Sequence, residues 1–409
     1  MAQRHLQLRH AGPRPRPTAG RHQPHHHTAG VLGVVLGLAA AGTAVGVAVS
    51  RAAARRVGAE RLGSKAGLPP GATDAGLRED DPLGSRSRRA DRTALVAADD
   101  GVLLAVEEVG PADAPLTVVF CHGYSLSMAS WTFQRRALGA ALATANGSRP
   151  TARLVFYDQR GHGASGRGPA EHSTMEQLGH DLGAVLRARV PHGPVVLVGH
   201  SMGGMTVMAL AEVRPELFGS RVVGAALMNT SSGNLSDLDF GKPELLTRQR
   251  AADLPIAAFT MRRRPGFAER TRRLAADLIS QVTWSLSFAS KDVDPALGRY
   301  VDSMIAGTPV EVIAEFYPAL AGLDETAALQ PLRAVPVLVL TGDKDTLIPP
   351  EHSDMIVELL GGPGAPGVEH VVVHEAGHMV PLEKPDEVTA ALSALLRRVV
   401  ADLPTGAGR

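Results

Sequence analysis

The chain is poor in cysteine, aromatic residues and net charge. Cys121 is its only cysteine, so no intrachain disulfide can form and stability must come from packing. It ends the apolar run Val118-Val119-Phe120-Cys121 and reads as a buried strand residue, since free cysteine is among the most buried residue types. The patterns CxxC and HExxH are both absent, so no zinc is expected, and no cofactor. A formal net charge of +1 over 409 residues removes the electrostatic case for nucleic acid. Aromatic residues at 4% make stacking on single strands a poor fit as well. What remains, 44% hydrophobic and 20% charged residues, is the composition of an ordered globular protein. The length allows one catalytic domain with an appendage, or two domains.

The first ninety residues differ from the rest. Residues 1–30 hold scattered arginines, several prolines and glycines, and the run His25-His26-His27. They read as a disordered basic arm. Val31 to Ser50 follows without a single charge. As a helix it rises about 30 Å, the thickness of a bilayer's apolar core. It is rich in Ala and Gly, so insertion is marginal, and both flanks are basic, so orientation is not set. A membrane anchor is the working expectation, with the protein held at a lipid surface. A cleaved secretory signal or a soluble helix, giving a secreted or cytoplasmic protein, are the alternatives. Residues 51–91, with Arg51, Arg55, Arg56 and Arg61 and then many Gly, Pro and Asp, read as a linker. Residues 403–409 read as a tail.

From residue 92 to 402 the pattern becomes that of a folded domain. Thr93–Ala97 and Val102–Glu108 flank the turn Asp99-Asp100-Gly101 and predict a hairpin. Short Val- and Leu-rich runs then predict buried strands at Leu116–Cys121, Leu154–Tyr157, Val195–Val198, Val222–Met228, Val335–Leu340 and Val368–Val373. Helical patterns separate most of them. One starts near Ser173, where Ser173 and Glu176 suggest a capping box; others follow Ser201, Pro350 and Pro385. Strand–helix alternation implies an α/β fold: a mostly parallel sheet with helices on both faces and the hairpin as an antiparallel edge. The stretch of about residues 231–332 is too long for a crossover and largely helical in pattern, which marks an inserted helical cap.

Chemistry enters at Gly199-His200-Ser201-Met202-Gly203-Gly204. This is G-x-S-x-G between an apolar strand and a helix-forming run, the spacing of a nucleophile elbow. Side chains at Gly199 and Gly203 would collide with the neighbouring strand and helix. Ser201 then sits where helix N–H groups favour developing negative charge. Its hydroxyl needs a base, and the base an orienting carboxylate. After the last strand comes His374-Glu375-Ala376-Gly377-His378, and His378, further into the loop, is preferred to His374. After Val335–Leu340 comes Thr341-Gly342-Asp343-Lys344-Asp345. Asp343 has a simpler role as a turn residue, so Asp345 is preferred as the acid. An acid after Val222–Met228 would be an alternative, but Asn229 stands there and cannot supply the charge. The backbone N–H of Met202 and that of Tyr124, in His122-Gly123-Tyr124, are the candidate oxyanion donors. With an imidazole base, activity should rise as pH climbs through about 7.

Together these segments resemble the α/β-hydrolase superfamily, in its esterase/lipase-like branch with a helical cap, over residues 92–402. His122-Gly123 resembles the family's oxyanion motif and Asp158-Gln159-Arg160-Gly161-His162-Gly163-Ala164-Ser165 its D-x-R-G-x-G-x-S loop. Gly199–Gly204 resembles the GHSMGG elbow of esterases and monoglyceride-lipase-like enzymes. Gly342 to Asp345 is similar to the G-x-x-D acid motif, and Gly377-His378 with Pro381, Glu383 and Pro385 to GH-x-x-x-x-E-x-P. The resemblance implies cleavage of carboxylic esters by Ser201, His378 and Asp345 on a small-molecule acyl substrate. Ser at the elbow departs from the epoxide-hydrolase and haloalkane-dehalogenase relatives, which carry Asp there. A cofactor-free haloperoxidase-like or C–C-bond hydrolase on the same triad, and a non-catalytic binding module, are the alternatives. In the cap, Phe259, Phe267, Trp284, Phe288, Phe316 and Tyr317 offer packing or an acyl pocket. The cluster Arg262, Arg263, Arg264, Arg270, Arg272 and Arg273 offers either a solvated face or a contact with anionic lipid. Oligomeric state is not readable.

Overall fold

A computed structural model describes Leu83 and residues 90–144, 152–235, 287–290 and 292–402. The basic arm, the Val31–Ser50 span, nearly all of the linker, the cap's arginine cluster and the tail lie outside the described residues. None of the described helices is long and apolar enough to cross a membrane.

Eight strands form one sheet: β1 (Arg92–Ala97), β2 (Leu103–Val109), β3 (Leu116–Cys121), β4 (Ala152–Tyr157), β5 (Val195–His200), β6 (Val222–Met228), β7 (Val337–Gly342) and β8 (Val368–Val373). Their spatial order is β1-β2-β4-β3-β5-β6-β7-β8. The β1–β2 and β2–β4 pairs are antiparallel and the other five parallel. This is the sheet expected from the alternation, with the hairpin on its edge. The boundaries moved where backbone chemistry decides them. Pro336 has no N–H to give a ladder, and β7 starts after it, at Val337 rather than Val335. β4 begins earlier than its apolar run, at Ala152.

The central strands β3, β4, β5 and β7 are buried at every residue, as strands covered on both faces must be. Their alternate side chains feed two cores. Val119 and Cys121 join a core with Leu178 and Leu182 of α2 (Met175–Arg189), Leu210 of α3 (Met202–Val213) and Ile356 of α7 (Pro350–Leu359). Val118 and Phe120 join the opposite one, with Leu138 of α1 (Thr132–Thr144) and Leu392 and Leu395 of α9 (Pro385–Asp402). Burial pushes the Cys121 thiol up to about 12, which leaves it a packing residue. The start of α2 differs from the expected cap. Thr174, not Ser173, is the N-cap, and its hydroxyl accepts from the Gln177 amide; Ser173 closes a preceding 3₁₀ turn.

The described part of the cap comprises α4 (Pro295–Gly307), α5 (Val310–Ala321) and the one-turn α6 (Leu329–Leu332). Phe288 and Phe316 are buried and Tyr317 is exposed.

The hairpin edge is locked by charge. Glu108 of β2 is buried and accepts from Arg92 at 2.9 Å and Arg189 at 2.6 Å, with Arg153 at 3.6 Å. Burial pushes its carboxyl up, but Arg189 and Arg92 outweigh that and hold it below the usual range. Its contribution to stability is therefore present above the unfolded-state pKa and fades as pH falls through the folded one. Replacing Glu108 with Ala leaves three guanidiniums around an empty socket. It should cost about 1–3 kcal/mol of unfolding free energy in denaturant titration, since Arg92 and Arg189 stay partly hydrated, and a loss under about 0.5 kcal/mol would show that the cluster is dispensable.

Candidate active site

The elbow follows from close approaches at three glycines. Ser201 joins β5 to α3 with φ 54° and ψ −123°, a left-handed conformation that costs a non-glycine residue about 1–3 kcal/mol. Its N–H donates to Met228 O at 2.9 Å, and its carbonyl accepts from Thr230 Oγ1 at 2.8 Å. A Cβ on Gly199 would lie 2.3 Å from Gly203 O, and one on Gly203 would lie 2.1 Å from Cys121 O. A Cβ on Gly123 would lie 3.2 Å from Ser201 Cβ, so the loop after β3 lies against the serine. In that loop the backbone N–H of Tyr124, like that of Met202 at the start of α3, meets no acceptor among the described residues.

The loop after β3 is held by groups to which the sequence assigned no such role. The Gln159 amide donates to His122 Nε2 at 2.9 Å, and His122 Nδ1 lies 2.8 Å from Gly123 O. The first contact makes Nε2 an acceptor and Nδ1 the protonated nitrogen. Burial pushes His122 down to about 4, so it stays neutral and keeps that tautomer. Gln159 Nε2 donates to His122 O at 2.6 Å, and Thr206 Oγ1 of α3 donates to Gln159 Oε1 at 2.7 Å. Asp158 accepts from the Met128 and Ala164 amides at 2.7 and 2.8 Å. The D-x-R-G-x-G-x-S segment is thus a brace. Its signal in the sequence was the motif itself, without a role.

Of the two Asp and two His candidates, the structure pairs Asp345 with His378 and Asp343 with His374. His378 Nδ1 lies 2.8 Å from Asp345 Oδ2, both residues buried. Asp345 Oδ1 accepts from the Leu347 and Ile348 amides, each at 2.9 Å. Its Oδ2 also accepts from Asn229 Nδ2 at 2.6 Å. Asn229, set aside as a missing acid, is a donor to the acid instead. It occupies φ 44° at the end of β6, a conformation asparagine tolerates better than most residues. The other pair, His374 Nδ1 to Asp343 Oδ2 at 2.7 Å, lies at the surface, with His374 81% exposed. Asp343, His374 and Glu375 bring possible ligand atoms within 4.8 Å of one another. The Lys344 ammonium lies 3.8 Å from both carboxylates, so the trio already has its cation.

The His378 loop is bonded to the elbow through His200. His200 Nε2 lies 2.7 Å from the His378 carbonyl and donates to it. Burial, then the neighbouring His378, push His200 down to about 3, so it stays neutral. No hydrogen bond joins Ser201 Oγ to the His378 ring. Such contacts are commonly long before substrate enters and tighten in the reacting complex.

The family model described as alpha/beta hydrolase fold matches residues 117–385. The chain belongs to that family. A thermophilic esterase from Thermogutta terrifontis superposes with a TM-score of 0.55 at 27% identity, over 75% of this chain and 99% of that one. Epoxide hydrolase A of Mycobacterium tuberculosis is 28% identical over 73% of this chain and 95% of its own length. The dihydrolipoyllysine-residue acetyltransferase component of an acetoin cleaving system from Pseudomonas putida is 24% identical over 71% of this chain, which spans 65% of that protein.

In this fold, Gly203→Ala drives a methyl into the backbone of Cys121, which has no flexible end to move. The expected outcome is a loss of several kcal/mol, or about a tenfold drop in soluble yield. Gly307→Ala, where nothing lies within 4 Å of the new methyl, should leave thermal denaturation unchanged.

Proposed function

We propose that the protein cleaves carboxylic esters through an acyl-enzyme on Ser201. The observation that carries this reading is the buried Asp345–His378 pair, in a loop bonded to the residue before a strained elbow serine. Asp345 accepts from four donors and is an acceptor on both oxygens, which suits an ionised carboxylate. It fixes the proton of His378 on Nδ1 and leaves Nε2 to act as base.

In the first half-reaction His378 Nε2 takes the Ser201 hydroxyl proton while Oγ attacks the ester carbonyl. The carbonyl oxygen becomes an oxyanion facing the backbone N–H groups of Tyr124 and Met202. The tetrahedral species collapses, and the imidazolium gives its proton to the leaving alkoxide. In the second half water attacks the acyl-enzyme, losing its proton to Nε2. Collapse returns that proton to Ser201 and releases the acid. Asp345 stays ionised throughout and stabilises the imidazolium. The Ser elbow supports an acyl-enzyme over the Asp-elbow chemistry of the epoxide-hydrolase relatives, and the likeness to an esterase at 27% identity points the same way.

Short p-nitrophenyl esters test the assignment. Ser201→Ala and His378→Ala should each lose about 10⁴-fold or more in kcat, and Asp345→Asn about 10⁴-fold. Asp343→Asn, in the surface pair, should stay near the wild type. Activity should rise with pH as the imidazolium gives up its proton. Near-normal turnover by Ser201→Ala, or loss in Asp343→Asn with Asp345→Asn intact, would overturn the assignment.

A further inference from the structure

Glu383 makes a contact that the proposed chemistry does not use. It ends α8 (Val380–Glu383), directly behind the His378 loop. Its Oε1 accepts from the Gly377 amide at 2.8 Å, the residue before His378, and its Oε2 accepts from the Ala289 amide at 2.8 Å. Ala289 lies within the stretch read as the cap, ahead of α4. One carboxylate therefore spans two backbones, one leading into the base and the other into the cap. A second tie runs beside it, from the Met379 amide to Ser287 O at 2.9 Å. The packing leaves no slack. A Cβ on Gly377 would lie 2.5 Å from Ala289 N, 2.7 Å from Phe288 C and 2.9 Å from Glu383 Oε1.

We propose that Glu383 is a positioning residue that couples the cap to the base: its carboxylate sets the Gly377–His378 backbone from the cap segment at Ala289, so a displaced cap misplaces His378. The inference rests on His378 acting as the base of the proposed hydrolysis.

A neutral carboxyl or an amide cannot do this as well. Two N–H donors need an acceptor on each oxygen, and protonation or an NH₂ group turns one oxygen into a donor facing a donor. Burial pushes the Glu383 carboxyl up, against the Ala289 and Gly377 amides, which pull it down; the net shift is upward. Its proton thus arrives at a milder pH than an exposed glutamate's. Asp345 and His378 are the charged groups that act on it. His200 packs against His378 and is pushed down to about 3. His352, which feels Asp345, is pushed down by burial and bonds Ser231 Oγ at 2.8 Å. Coupling requires the ionised form, so activity is lost as pH falls through the raised value. The acid limb of kcat/KM should then carry two protons, one from the base and one from Glu383.

The experiment measures kcat, KM, the pH profile and thermal denaturation on the wild type, Glu383→Gln and Glu383→Asp, with a fluorophosphonate label on Ser201. The wild-type acid limb should be steeper than a single ionisation. Glu383→Gln should lower kcat by at least about tenfold, in line with the cost of a misplaced catalytic group. KM should stay within about threefold, and the acid limb should fall to one proton. Glu383→Asp, one methylene shorter, should keep the charge and lose most of the rate. A wild-type acid limb that matches that of Glu383→Gln down to the pH at which the protein unfolds overturns the coupling. So does a Glu383→Gln protein with wild-type kcat, or one that changes only in denaturation temperature. Failure of the wild type itself to turn over esters or take the label would count against the proposed hydrolysis instead.

Discussion

Where β5 turns into α3, three backbones come closer than a methyl group allows. Gly199 faces the Gly203 carbonyl, and Gly203 faces the carbonyl of Cys121 at the end of β3. The approach fixes the elbow's curvature, and the curvature puts Ser201 at φ 54°. Such a conformation persists only where the surroundings over-determine it. Here the surroundings are the two cores on either face of the sheet, in which each buried Val or Leu contributes roughly 1.5–3 kcal/mol. The tight crossing also explains why the candidate oxyanion donors lie where they do. The loop after β3 cannot drift from the serine when its own strand end is packed on the first turn of α3.

Around that crossing, buried polar groups are held in single protonation and rotamer states. His122 and His200 are pushed far below their ordinary value by burial, and each spends its nitrogen contacts on backbone. Gln159 ties the loop after β4 to the loop after β3 and, through Thr206, to α3. Asp345 is fastened by Asn229 and two amides before His378 bonds it. In a low dielectric each of these bonds is stronger than in water, while His200 Nδ1 and Asn229 Oδ1 find no partner among the described residues. The cap reaches the same network from outside, through the Tyr124 hydroxyl bonded to the Ile313 carbonyl of α5 and through Glu383.

Much of this was legible in the residues. Strand runs at β3 and β6 were readable to the residue because covered strands are almost wholly apolar, and β8 because its Val run ends at the loop of His374. The elbow was readable because only glycine fits at Gly199 and Gly203. The choice of Asp345 over Asp343 rested on a turn role for Asp343 and on the G-x-x-D spacing, and the two Asp–His pairs show how thin that support was: both acids find a histidine, and burial separates them. The roles of Asn229, Gln159 and Thr206 stayed hidden because a hydrogen bond between distant loops leaves no period in a sequence. The cap of α2 moved from Ser173 to Thr174 because two adjacent hydroxyl residues carry the same signal, and only the backbone chooses between them.

The central claim is that Ser201 becomes covalently acylated. The direct measurement is mass spectrometry of protein quenched in acid during turnover of a p-nitrophenyl ester, followed by peptide mapping. The account predicts a mass gain equal to the acyl group on the peptide carrying Ser201, absent in Ser201→Ala. An acyl group on another residue, or steady turnover by Ser201→Ala, would contradict it.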